Sequence, residues 1–206
     1  MPDWDYDSPQ VRSNLRLVLR QIARAVQERQ TPTVEEARRW LGLAMKGLGV
    51  PDPCFVGAFR GEPGLDNIQV RVGGNYGVSS ADVAEALRVF ETKLQALVAE
   101  LDTLLPVGVE PDADEQAAIL DLCAWAHAEW VRIHPFGNGN GRTARLWANS
   151  LAMPYGLPPF VRLHPRPDAG YGEAGSAAMQ GDWKPTAVAF RRLLDTFLEE
   201  FQSVPL

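Results

Sequence analysis

IHPFGNGNGRTARL, residues 133–146, decides how this chain is read. Gly137 to Gly141 alternate Gly and Asn, with His134 on one side and Arg142 and Arg145 on the other. The alternation alone is a weak signal. Glycine and Asn-Gly pairs serve tight turns because they accept positive φ, so a helix–loop–helix connection accounts for it. The flanks carry more. The glycines lead straight into a helical pattern, and Arg142 and Arg145, three residues apart, fall on one face of that helix. Unsatisfied amides at a helix start and the positive end of its dipole form an anion site. Glycines let the backbone approach the anion closely, and two guanidinium forks suit the oxygens of an oligophosphate better than those of a single phosphate. His134 closes the preceding helix, and its ordinary pKa of about 6.5 suits a general base. Phe136, two residues on, is placed to plug into the core and anchor the loop. A base beside an electrophilic phosphorus is what hydroxyl attack needs, so the residues point to phosphoryl or nucleotidyl transfer to a hydroxyl.

Working outward, the pattern is helical. Val11, Leu15, Val18, Leu19, Ile22 and Val26 recur at helical spacing, which predicts a helix over 9–29. Thr33 caps a second helix with Trp40, Leu41, Ala44 and Met45 inward, ended by Pro51 and Pro53. FVGAFR and NIQVRV alternate apolar with polar around Gly61, Pro63 and Gly64, which predicts a β-hairpin within 54–78. Ser79 or Ser80 then caps a long helix with Val83, Leu87, Phe90, Leu94, Leu97, Leu101 and Leu104 on one face, stopped by Pro106. A fourth helix is expected over 111–132, another from Gly141 to Met153, and two more over 168–180 and 184–202. The expected fold is mainly α, a bundle of about seven to eight helices with one small hairpin. Trp125, Trp130 and Trp147 are assigned to packing, and His127 and His164 to structural roles.

Composition narrows the function. The chain has 206 residues and a net charge of −6, with a pI near 5.1, so it lacks the basic footprint of a nucleic-acid or anionic-membrane binder. No apolar run reaches the roughly 20 residues of a spanning helix, and the first thirty residues show no signal-peptide pattern. Cys54 and Cys123 read as free thiols, and the chain as cytoplasmic, or as an effector delivered into another cell.

His134-Pro135-Phe136 followed by Gly139-Asn140-Gly141-Arg142-Thr143-Ala144-Arg145 resembles the signature of the Fic family, H-x-F-x-(D/E)-G-N-G-R-x-x-R, with one departure. Gly57-Ala58-Phe59-Arg60, the segment Asn67 to Val70 and the long helix after them are similar to the flap region ahead of that signature. The resemblance runs over about residues 50–204. It implies a Fic-type helical domain over 50–206 and makes residues 1–49 a helical extension packed on it.

The activity it implies is transfer of AMP from ATP to a Ser, Thr or Tyr hydroxyl of a target protein. By the resemblance, His134 takes the hydroxyl proton, Gly139, Asn140 and Gly141 form the α-phosphate anion hole, and Arg142 and Arg145 bind the outer phosphates. Ile68, Gln69 and Val70 form the flap that pairs with an extended piece of the target. Two roles fit Tyr171: core packing, or contact with the adenine. Asn138 is the departure. It stands where the family has the Asp or Glu that holds Mg²⁺, and a neutral carbonyl oxygen binds that hard cation more weakly, so high Mg²⁺ or a preference for Mn²⁺ is expected. Glu28 is the candidate for the family's inhibitory glutamate, though Arg24 and Arg29 replace the Ser/Thr and Gly/Asn of that motif; a solvent-facing helix end is the plainer reading. Restraint by an antitoxin-like partner, and a homo-oligomer, stay open. Two other readings remain: a Doc-like kinase, disfavoured by the intact Gly139-Asn140-Gly141-Arg142, and a nucleotide-binding module without efficient catalysis.

Overall fold

A computed structural model describes residues 9–26, 29–168 and 170–202. Seven α-helices and one two-stranded sheet occur among them: α1 (Pro9–Ala25), α2 (Val34–Ala44), β1 (Arg71–Val72), β2 (Asn75–Tyr76), α3 (Val83–Leu104), α4 (Ala113–Ile133), α5 (Asn140–Ala152), α6 (Tyr171–Ala178) and α7 (Lys184–Gln202). The mostly helical expectation is borne out.

α4 is the axis of the bundle. From Ile119 to Ile133 it is apolar on nearly every face, which is the pattern of a helix surrounded by others. It packs against α3, α5, α6 and α7. Asp112 starts it with a capping box, accepting from the Glu115 amide while the Glu115 side chain accepts from the Asp112 amide. Thr33 and Glu36 do the same for α2. An aromatic cluster forms the centre: Trp130 and Trp147 lie 5.5 Å apart, and Phe90 lies 5.6 and 5.3 Å from them. Burying side chains of this size stabilises the fold by about 2–3 kcal/mol each. The two cysteines are free thiols, Cys123 buried and Cys54 only half-buried.

Three local expectations are corrected. The hairpin is shorter and lies further along the chain: Arg71 pairs with Tyr76 and Val72 with Asn75, so NIQVRV contributes only its last two residues and FVGAFR is no strand of it. Phe59 instead bridges Phe136 in the signature loop, because Phe59 and Phe136 stack with centroids 4.9 Å apart in the core. Leu104 is 61% exposed and Leu105 is buried in its place, since the helix ends at Leu104 and the extended backbone of the next residue turns it inward. Finally, neither Ser79 nor Ser80 caps α3 by a side-chain bond; the Ser79 hydroxyl donates to Asp82, and a short 3-10 turn leads into the helix.

Candidate active site

The signature loop joins the carbonyl end of α4 to the amide end of α5. α4 stops at His134, whose N–H donates to the Trp130 carbonyl and whose φ of 54° is left-handed. A non-glycine residue there costs about 1–2 kcal/mol, which the neighbours must offset. They do so on both sides. His134 Nδ1 lies 2.9 Å from the Val131 carbonyl, and the His134 carbonyl accepts from Arg60 Nε at 2.7 Å. A carbonyl can only accept, so Nδ1 carries the proton in the neutral ring and Nε2 keeps its lone pair. Burial pushes the His134 pKa below its ordinary value; the Val131 carbonyl raises it and the Arg60 charge lowers it. The ring is therefore neutral at pH 7 and suited to take a proton.

Phe136 is fully buried, as its anchoring role requires. The Asn140 side chain holds it from both sides, accepting the Phe136 N–H at 2.9 Å and donating to the Phe136 carbonyl at 2.8 Å. That side chain is thus committed to closing the loop, which leaves the backbone amide as the group Asn140 can offer an anion. Gly139 caps α5 at φ 87° with no side-chain cap, so the first amides of α5, at Asn140 and Gly141, have no intrahelical acceptor. An ideal Cβ on Gly139 would stand 3.7 Å from Arg142 Nη2, and one on Gly141 would stand 3.6 Å from Arg145 Nη1. Both guanidiniums therefore curl back over the start of α5. Arg145 is buried, donates to the Leu163 carbonyl at 2.9 Å, and has no partner for its Nε among the described residues. A cradle of backbone amides and two guanidiniums fits a polyphosphate.

The same cradle offers a cation little. Asn138 Oδ1 already accepts the Gly139 N–H at 2.6 Å, and no cluster of three or more His, Cys, Asp or Glu occurs among the described residues. A divalent ion here would draw most of its oxygens from phosphates and water.

A family model described as the Fic/DOC family matches residues 33–152, more than half of the chain, and spans the loop just described. The chain belongs to the Fic/DOC family. It is 31% identical over 169 residues to the protein named protein adenylyltransferase Fic of Drosophila erecta, covering 80% of this chain and 30% of that one. The Drosophila melanogaster protein of the same name gives 32% over the same coverage. This chain thus spans less than a third of those relatives. A Fic domain containing signaling protein from Bacteroides thetaiotaomicron shares the fold, with a TM-score of 0.56 at 19% identity over 93% of this chain and 67% of that one.

Within this Fic fold, the loop residues named from the sequence converge on one end of α5, while the flap residues Ile68, Gln69 and Val70 lie just ahead of β1. Glu28 lies outside the described residues. Tyr171 is buried, with its hydroxyl 2.6 Å from His127 Nε2, which makes it a packing residue. Two features escaped the sequence. Leu41 of α2 and Met45 just after it press on Gly139, since a Cβ there would lie 2.4 and 3.2 Å from their side chains. Arg60 reaches the His134 carbonyl from 74 residues away, and nothing in its local pattern marks it beyond its place after Phe59.

Proposed function

We propose that this chain is a protein adenylyltransferase that moves AMP from ATP to a Ser, Thr or Tyr hydroxyl of a target protein. The observation that carries the proposal is the contact of His134 Nδ1 with the Val131 carbonyl, which leaves Nε2 its lone pair on the loop that leads into the amide end of α5. The relatives named protein adenylyltransferase Fic point the same way.

In this scheme Nε2 takes the hydroxyl proton as the oxygen bonds to the α-phosphorus. The bond from that phosphorus to the β-bridging oxygen breaks, and pyrophosphate leaves with the charge. The amides of Asn140 and Gly141 stabilise the α-phosphoryl oxygens, and Arg142 and Arg145 stabilise the departing phosphates. Asn138 would offer its side-chain oxygen to a divalent ion bound with the nucleotide, and that ion would supply neutralisation of phosphate charge. The flap segment Ile68 to Val70 would hold the target as an added strand. Restraint by Glu28 belongs to the same proposal. Arg29 fills the slot where the inhibitory motif has Gly or Asn, and its φ of 46° is the conformation those two residues adopt most readily.

Incubation of a lysate with ATP labelled at the α- or the γ-phosphorus tests the scheme. Label transferred to protein from the α position alone, and lost in His134→Ala, is the expected result. Transfer from the γ position would make the chain a kinase, and no transfer from either would leave a nucleotide-binding module.

A further inference from the structure

Arg60 is among the largest fully buried side chains, at 2% exposure, and no carboxylate pairs with it among the described residues. Its guanidinium is instead satisfied by four backbone carbonyls. Nε donates to His134 at 2.7 Å, Nη1 to Ile68 at 3.2 Å, and Nη2 to Val78 at 2.6 Å and Ile133 at 2.9 Å. Its own backbone N–H donates to the Pro135 carbonyl at 2.7 Å. These acceptors fall into two groups. Ile133 and His134 are the open carbonyls at the end of the 21-residue α4, where the helix dipole is negative and balances a buried cation. Ile68 and Val78 are the two feet of the hairpin, which Gly77 N–H closes onto the Val70 carbonyl at 3.1 Å.

One planar fork therefore ties both feet of the flap to the residue that bears the base. Gly77 makes the junction close: a Cβ there would lie 2.8 Å from His134 Cβ and 3.1 Å from Arg60 Nη2. The lysine ammonium has three N–H groups on one nitrogen and cannot reach carbonyls on opposite sides as five N–H groups on a plane do.

We propose that Arg60 is the positioning residue of the active site, fixing the distance between the edge that docks the target strand and the imidazole of His134. Its guanidinium donors are taken up by backbone carbonyls, so it acts through the flap and His134. The inference rests on the adenylyltransferase scheme for its kinetic consequence, but its structural consequence, one rigid unit of flap and base, is measurable without any transfer.

The test is Arg60→Lys, with Gly77→Ala as a second variant that crowds the same junction and keeps the question open should the first not fold. Amide hydrogen exchange is read by mass spectrometry on peptides covering 68–78 and 132–137, and transfer is followed with α-labelled ATP. Exchange should rise in both segments together, with melting still cooperative. KM for ATP should stay within about twofold, because the cradle of α5 is untouched, while kcat falls on the order of 10²-fold, as for a misplacement of about 1 Å. Exchange rising in one segment only, or in neither, overturns the coupling. So does a raised KM for ATP with kcat preserved. If the wild type transfers no AMP, the proposed function falls, and the exchange result alone then decides for or against the coupling by the same criterion.

Discussion

Acid should destabilise this protein through one buried histidine. His127 sits on α4 with 2% exposure, its Nε2 on the Tyr171 hydroxyl and its Nδ1 without a partner among the described residues. Burial, and secondarily the charge of Arg145, push its pKa down to about 3. In the unfolded chain the ordinary value is about 6.5. The folded state thus binds fewer protons than the unfolded one between those limits, so stability is full above about pH 6.5 and is lost as pH falls toward 3. At pH 5, one and a half units below the unfolded value, the loss at about 1.4 kcal/mol per unit is about 2 kcal/mol. With a urea slope of about 2–3 kcal/mol per M, the midpoint should drop by roughly 0.7–1 M between pH 7.5 and 5.

His127→Gln supplies the control, since an amide can keep the Tyr171 contact and does not titrate. Its unfolding free energy should fall by about 2 kcal/mol less than that of the wild type over the same interval. Comparing the two cancels the other groups that titrate in both proteins, including His134, whose depressed pKa acts in the same sense, and Glu62, held low by Arg38. Parallel pH profiles for wild type and His127→Gln would refute the assignment, and would mean that His127 is protonated or hydrated in the folded state.

Two further outcomes follow from the loop. Gly139→Ala places a methyl 2.4 Å from Leu41 Cδ1 at φ 87°, so backbone strain and overpacking together should cost about 2–4 kcal/mol in urea unfolding; a loss under about 1 kcal/mol would show that α2 yields freely. Asn138→Asp keeps the acceptor for the Gly139 N–H and adds a charge beside the helix start, so the Mg²⁺ concentration for half-maximal transfer should fall about tenfold. An unchanged Mg²⁺ titration would show that residue 138 does not reach the metal.

Much of this architecture was legible in the sequence, for reasons that differ between elements. α2, α3 and α4 are written as apolar periodicity, with polar caps on α2 and α4, and those patterns act within one or two turns of chain. The phosphate cradle is legible because its glycines, the helix start and both arginines lie within ten residues, so covalent geometry alone brings them together. The hairpin was misplaced because FVGAFR has an alternating pattern, yet Phe59 finds its partner in Phe136, far along the chain, and alternation cannot tell a strand neighbour from a distant one.

The sequence by itself determined a helical domain and the chemistry of one loop: a base, an anion nest and two guanidiniums in fixed order. Which nitrogen of His134 is basic turns on a contact with Val131, only three residues back, and becomes visible once His134 is seen in the left-handed conformation. Only the tertiary structure laid α2 against Gly139 and brought Arg60 under both the flap and the base. The physical reason is range. Helix periodicity and capping are settled by neighbours along the chain, whereas a buried guanidinium acquires its partners only when segments 8 to 74 residues away close around it.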